Sequence, residues 1–263
     1  MKKGTSLYQL LFILAVISLA FSNDALAKPR EYYEIRVYHF TSGNQETIID
    51  GYLRQAFLPA LHRLGIQNVG VFKPVGNDTA TDKRVYVFIP YKSLSQYEST
   101  FQKLQQDKGL TTAGKEYLEA SYDKPSYSRM ESILLLSFPD MPQMALPKLT
   151  GPRKDRIYEL RSYESATENL HRSKVKMFNE GGEIKLFNRL GFNAVFYASV
   201  MAGSRMPNLM YMTTFENKTS RDEHWKAFSD DPEWKTLSAQ PQYQHNVSRN
   251  ETIFLAPTDY SDF

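Results

Sequence analysis

The chain has 263 residues and carries 32 basic against 29 acidic side chains, a net charge of +3. So weak a field excludes nucleic acid and an anionic membrane surface as primary partners. Cysteine is absent, which excludes a disulfide framework, a zinc–thiolate site and a cysteine nucleophile.

Residues 1–27 have the form of a signal peptide. Lys2 and Lys3 precede an apolar run from Leu10 to Phe21, and Ala25-Leu26-Ala27 supplies the small-x-small pattern that a signal peptidase reads. Cleavage after Ala27 is expected. The apolar run is shorter than the roughly 20 residues that span a bilayer. A cleaved, cysteine-free chain is expected to be periplasmic or secreted, with no stable membrane insertion after cleavage.

The rest is organised by a duplication. Tyr33-Glu34-Ile35-Arg36-Val37-Tyr38 returns as Tyr158-Glu159-Leu160-Arg161-Ser162-Tyr163. Arg63-Leu64-Gly65 returns as Arg189-Leu190-Gly191, and Ser128-Arg129-Met130-Glu131-Ser132-Ile133 as Ser248-Arg249-Asn250-Glu251-Thr252-Ile253. The offsets of 125, 126 and 120 residues (33 to 158, 63 to 189, 128 to 248) far exceed the period of a solenoid repeat. They predict two domains, 28–138 and 156–263, joined by a linker over 139–155 that holds Pro139, Pro142, Pro147 and Pro152.

In the first domain, Tyr33 to Phe40 alternates Tyr33, Ile35, Val37 and His39 with Glu34, Arg36, Tyr38 and Phe40, the period of a strand. Ser42-Gly43-Asn44-Gln45 is a capping box, and Leu53, Phe57, Leu61 and Leu64 form one helical stripe. That helix is expected to pack on the more apolar strand face, with Pro59 interrupting it and Gly65 ending it. Val69–Phe72 and Arg84–Ile89 read as a strand hairpin. Ser93 to Gln96 opens a second helix, and Ile133–Leu136 reads as the last strand. The second domain repeats the plan, with helix starts predicted at Ser165 to Glu168 and Ser220 to Glu223, and strands at Ala194–Tyr197, Leu209–Phe215 and Thr252–Leu255. Strand, helix, strand, strand, helix, strand is the order of a ferredoxin-like fold, so the fold class is α+β with two tandem ferredoxin-like modules.

Gly203, then Pro207-Asn208-Leu209-Met210-Tyr211-Met212, then Trp225, Phe228 and Asp231-Pro232-Glu233-Trp234 resemble the NIPSNAP family. The resemblance covers nearly all of the mature chain, is most specific from Glu180 to Trp234 and is weaker in the first module. It implies a dimeric α/β-barrel type of arrangement, in which two four-stranded sheets face each other around a partly polar interior. It implies no catalytic motif. Relatives on that superfold include cofactor-free monooxygenases, isomerases and haem enzymes, and fold alone does not choose among them. The two modules are expected to complete the barrel within one chain; the alternative pairs each with a second copy.

First and fourth strands are antiparallel neighbours in this order. Glu34 and Arg36 are therefore expected to meet Arg129 and Glu131, and Glu159 and Arg161 to meet Arg249 and Glu251, on the face that lines the barrel. Tyr38 and Tyr163 share that alternation. These residues are the candidate ligand-binding set, read either as a closed ion-pair framework or as a lining that holds a small polar organic ligand. His39, His62, His171, His224 and His245 form no close pair, so no metal site is expected; no spacing marks an axial haem ligand, and no cofactor is expected. Phosphate-loop and serine-elbow motifs are absent. The functional readings are a binder of a small polar molecule, a cofactor-independent oxygenase or isomerase, and a structural protein with a filled barrel.

Overall fold

A computed structural model describes residues 28–263. The expected signal segment and its cleavage site at Ala27 lie outside the described residues. The strands are β1 (Tyr32–Phe40), β2 (Gly70–Pro74), β3 (Lys83–Tyr91), β4 (Arg129–Ser137), β5 (Ile157–Glu164), β6 (Asn193–Ala202), β7 (Asn208–Phe215) and β8 (Arg249–Pro257). The first module has the order β4-β1-β3-β2 and the second β8-β5-β7-β6, antiparallel throughout, which is the ferredoxin-like order twice. Strand β2 also pairs with β8, and β4 with β6. The two sheets thereby join edge to edge into a closed barrel within the one chain, which leaves no open sheet edge among the described residues.

Helices cover the outside. The first module carries α1 (Gly43–Tyr52), α2 (Leu58–Arg63), α3 (Leu94–Gln106), α4 (Lys108–Ala113) and α5 (Lys115–Leu118). The second carries α6 (Glu168–Phe178), α7 (Glu183–Arg189), α8 (Lys218–Asp230) and α9 (Pro232–Ser238). Among the described residues no helix is long and apolar enough to cross a membrane. The expected interruption at Pro59 is a widened π turn over Leu53–Phe57 in otherwise continuous helical backbone, directly before Pro59, whose ring and missing N–H the wider turn accommodates. The repeated Arg-Leu-Gly triplets also have a local cause. Gly65 and Gly191 take φ of +75° and +77° just after α2 and α7, a conformation that a Cβ disfavours.

Ser42 and Ser93 cap α1 and α3 as predicted, accepting from the Gln45 and Gln96 amides at 3.2 and 3.1 Å. In the second module the caps move. Thr167 caps α6 and Asn217 caps α8, because Ser165 is buried and donates to the Asn246 carbonyl instead, while Ser220 lies inside the first turn and donates its N–H to Asn217.

Three cores result. One lies between the first sheet and its helices, with Tyr38, Phe40 and Val87 against Leu53, Phe57 and Leu61. A second does the same in the other module, around Phe187, Tyr211 and Phe228. The third lies inside the barrel. Tyr33, Phe72, Phe88, Tyr158, Phe196 and Phe263 are all buried there, with Phe88 stacked on Phe196 at 5.0 Å and Phe72 against Tyr158 at 4.8 Å. Burying each such ring contributes about 1.5–3 kcal/mol. This aromatic plug closes one end of the barrel.

Candidate functional site

The alternation of β1 is as expected, but its faces are exchanged. Ile35 and Val37 point into the barrel, while Glu34, Arg36 and Tyr38 point at the helices. Arg36 lies over Phe57 at 4.9 Å and pairs with Glu34 at 3.0 Å. Glu34 also accepts from Tyr91 and Ser132 at 3.1 and 2.9 Å. Tyr38 meets Tyr127 edge-on at 5.8 Å. The second module repeats this outside the barrel. Glu159 is fully buried and accepts from Arg161, Arg221 and Trp225 at 2.6, 2.7 and 2.8 Å. Arg161 stacks on Trp225 at 3.7 Å and donates to Tyr163 at 2.9 Å.

Arg129, Glu131, Arg249 and Glu251 lie on the opposite, inward parity, since Val37 is the partner of Glu131 and Ser162 of Glu251. The expected meetings of Glu34 and Arg36 with Arg129 and Glu131, and of Glu159 and Arg161 with Arg249 and Glu251, therefore do not occur. A one-residue step along a strand moves a side chain to the other face. Both faces of these sheets are covered, so polarity alone does not tell which one encloses a cavity.

The cavity lies at the end of the barrel away from the plug. It is a cup of about 440 Å³, within the usual range for a small-molecule site. Its depth is apolar, with Val37, Ile133, Leu160, Val200, Met210 and Ile253. Its rim is polar and charged. His39, the second-to-last residue of β1, has Nδ1 2.8 Å from Asp82 Oδ1 and Nε2 3.1 Å from Glu131 Oε1. Arg84 donates to Asp82 at 2.8 Å and to the Tyr86 hydroxyl at 3.2 Å. Arg129 pairs with Glu131, and Arg205 with Glu251. The Asn208 amide donates to Ser162 Oγ at 2.9 Å.

Three groups of the cup titrate away from their ordinary values: Arg84, which burial would lower, is raised by its hydrogen bonds to Tyr86 and Asp82 and by their charges. Burial alone would raise Asp82, but hydrogen bonds from His39 and Arg84 hold it below the usual carboxylate range. Burial pushes the Tyr86 phenol up, against the opposing charge of Arg84, so the hydroxyl stays protonated. The three guanidiniums that line the cup, Arg84, Arg129 and Arg205, each have a carboxylate partner, so the mouth is close to charge-balanced. Among the described residues no cluster of three or more histidine and carboxylate side chains is arranged to hold a metal ion.

The duplication separates framework from site. Register equates His39, which faces Arg84 and Arg129, with Glu164, which faces Asn208 and Arg249. The Glu-Arg pair behind the sheet is present in both modules; the imidazole between carboxylates is present in one. His39, Asp82, Arg84, Tyr86, Arg205 and Asn208 were not in the candidate set. His39 shares parity with Ile35 and Val37, a signal that points to it once the inner face is known. Nothing in the order of residues marks Asp82, Arg84 or Arg205.

The NIPSNAP family model matches residues 33–142 and 158–262, one match per module. The chain belongs to the NIPSNAP family. Among solved structures, a "putative monooxygenase" from Lactobacillus acidophilus superposes on this NIPSNAP chain with a TM-score of 0.57 at 8% identity, covering 87% of this chain and 94% of the other. A "putative monooxygenase" from Fusobacterium nucleatum gives 0.56 at 9% identity over 87% and 93%. An "anthrone oxidase-like protein" gives 0.51 at 9% over 88% and 93%. At these identities the likeness is one of fold. No curated protein matches the chain.

Proposed function

We propose that this NIPSNAP chain binds one small organic molecule in the barrel cup, with an apolar body in the depth and a neutral hydrogen-bonding head, a hydroxyl or carbonyl, at the rim. The observation that carries the reading is the pairing of an apolar floor with a charge-balanced mouth. An eight-stranded barrel has room for one small ligand once it is not filled by side chains. A ligand carboxylate would have to displace Asp82, Glu131 or Glu251 from its arginine, whereas a neutral head loses nothing by entering. Titration with 2-naphthol and 2-naphthoate tests this, with binding followed by ligand-observed NMR. The naphthol is expected to bind more tightly; tighter binding of the naphthoate contradicts the reading.

A second reading, a cofactor-independent monooxygenase or isomerase, is favoured by the imidazole held between two carboxylates at the cup. The names of two of the three structural neighbours similar over most of the chain, both "putative monooxygenase", point the same way. Turnover of a bound compound in the absence of any added cofactor tests it.

We also infer that the chain is exported, on the strength of Lys2, Lys3, the run Leu10–Phe21 and Ala25-Leu26-Ala27. A mature N-terminus at Lys28 in the periplasmic or secreted fraction is the expected result, and an uncleaved cytosolic chain contradicts it. Assembly with a second copy is compatible with this picture, although the barrel does not require it.

A further inference from the structure

The rim holds more than recognition requires. Asp82, His39 and Glu131 form an unbroken line of hydrogen bonds, 2.8 Å and then 3.1 Å. It starts at a carboxylate whose side chain is 45% exposed and ends at one that faces the cup and is 22% exposed, with the imidazole between them at 11%. An imidazole between two acceptors can take a proton at one nitrogen and release one at the other. Arg84 fixes the outer carboxylate. At the inner one, His39 and Arg129 both engage Oε1, and among the described residues no donor engages Oε2.

A second group completes the arrangement. Strand register puts Tyr86 and Glu131 on either side of Val37, at the same level of the wall, with their Cα atoms two strand spacings or about 10 Å apart. The Tyr86 hydroxyl accepts from Arg84 and, among the described residues, donates to no protein acceptor. A proton acceptor and a hydrogen-bond donor thus flank the space above Val37. None of the histidine, its outer carboxylate partner or the phenol recurs in the second module, where Glu164, Asn208 and Met210 stand at the positions of His39, Arg84 and Tyr86.

We propose that Glu131 is a general base acting on a carbon acid held in the cup, with Tyr86 donating to the substrate oxygen and with His39 and Asp82 carrying the proton to solvent. The inference rests on the cup as a binding site and assigns it a substrate class, neutral ketones with an acidic hydrogen next to the carbonyl. In the forward step the C–H bond breaks and its proton goes to Glu131 Oε2. The electron pair becomes the C=C bond of an enolate, and the carbonyl π pair moves to the oxygen that Tyr86 holds. Return of a proton to the same carbon exchanges hydrogen with solvent, and return to a conjugated carbon gives an isomer. Neither step consumes an oxidant or a cofactor. Glu131 and Tyr86 touch the substrate; His39 and Asp82 are positioning residues that act through Glu131.

The test uses the mature chain with 2-tetralone, 2-indanone and 1-decalone in deuterium oxide. NMR reads binding and the loss of the α-hydrogen signal in one sample. For ketones that bind, exchange is expected to exceed the buffer rate by about 10²–10⁴-fold, the usual contribution of a positioned base. Glu131→Gln is expected to remove nearly all of that gain, read as the exchange rate of the bound ketone. Tyr86→Phe, which deletes one oxygen, supplies a second variant with the same direction of effect. His39→Ala is expected to lower exchange about tenfold or more, and added imidazole to restore it, which a merely structural role would not allow. Ketones that bind but exchange at the buffer rate, or exchange that survives Glu131→Gln, overturn the relay and leave the binding cup standing. Binding of none of the three ketones overturns the cup reading and the relay with it.

Discussion

Glu159→Gln separates framework from function most sharply. Glu159 has no exposure and accepts from Arg161 Nε at 2.6 Å, Arg221 Nε at 2.7 Å, Arg221 Nη2 at 2.9 Å and Trp225 Nε1 at 2.8 Å. The amide keeps the shape and removes the charge, which leaves two guanidiniums without their shared counter-ion, one of them stacked on Trp225. Removing one partner of a buried pair costs about 3–5 kcal/mol. Both arginine side chains keep 16% exposure, so the lower end applies, about 3 kcal/mol. With a urea slope of about 3 kcal/mol per molar, the midpoint falls by about 1 M. The carboxyl sits below its ordinary value of 4.5: burial opposes this, and the Arg221 hydrogen bonds and Arg161 charge overcome it. A depressed carboxylate stabilises the fold at pH above its unfolded value, and that contribution is lost as pH falls through the folded value. The wild type is therefore expected to lose this part of its stability on acidification below pH 4.5, and Glu159→Gln to lack it. Binding of 2-naphthol by the folded variant is expected to be unchanged. A variant of wild-type stability, or one that folds but no longer binds, refutes the division between the two faces of the sheet.

Lys174 and Glu183 form another buried pair, at 2.9 Å, between the second sheet and its helices; burial pushes the Glu183 carboxyl up and the lysine opposes it. Lys174→Met alone is expected to cost about 3–5 kcal/mol, and Lys174→Met with Glu183→Leu to recover most of it, checked by a double-mutant cycle in urea. Phe263→Ala removes a ring that packs on Phe72 at 5.7 Å and on Tyr158 at 6.2 Å in the plug, for an expected loss of about 3–5 kcal/mol measured the same way. A loss under about 1 kcal/mol contradicts a closed floor.

Architecture was legible because it leaves local marks. The period of two at Tyr33–Phe40, the stripe Leu53, Phe57, Leu61 and the left-handed glycines at 65 and 191 each follow from one element's own geometry. Their recurrence supplied the module count. The side on which the cavity lies is not a local property. Glu34 and Arg36 read as lining because a charged pair was assigned to the roomier face, but their charges close on each other, on Tyr91 and on Ser132 behind the sheet. Tyr33, Ile35 and Val37, on the strand face expected to meet the helix, lie inside the barrel instead. Asp82 and Arg205 reach the rim from turns between strands; the pairing of β1 with β3 brings Asp82 to His39, and the placing of β7 and β8 on either side of β5 brings Arg205 to Glu251.

A crystal structure of the mature chain with bound 2-naphthol tests the central claim most directly. Ligand rings against Leu160, Val200 and Met210, with the hydroxyl within hydrogen-bond reach of Glu131 or Tyr86, is the predicted result. Naphthol seated between sheet and helices beside Arg36 or Arg161, with the cup free of ligand, would contradict it.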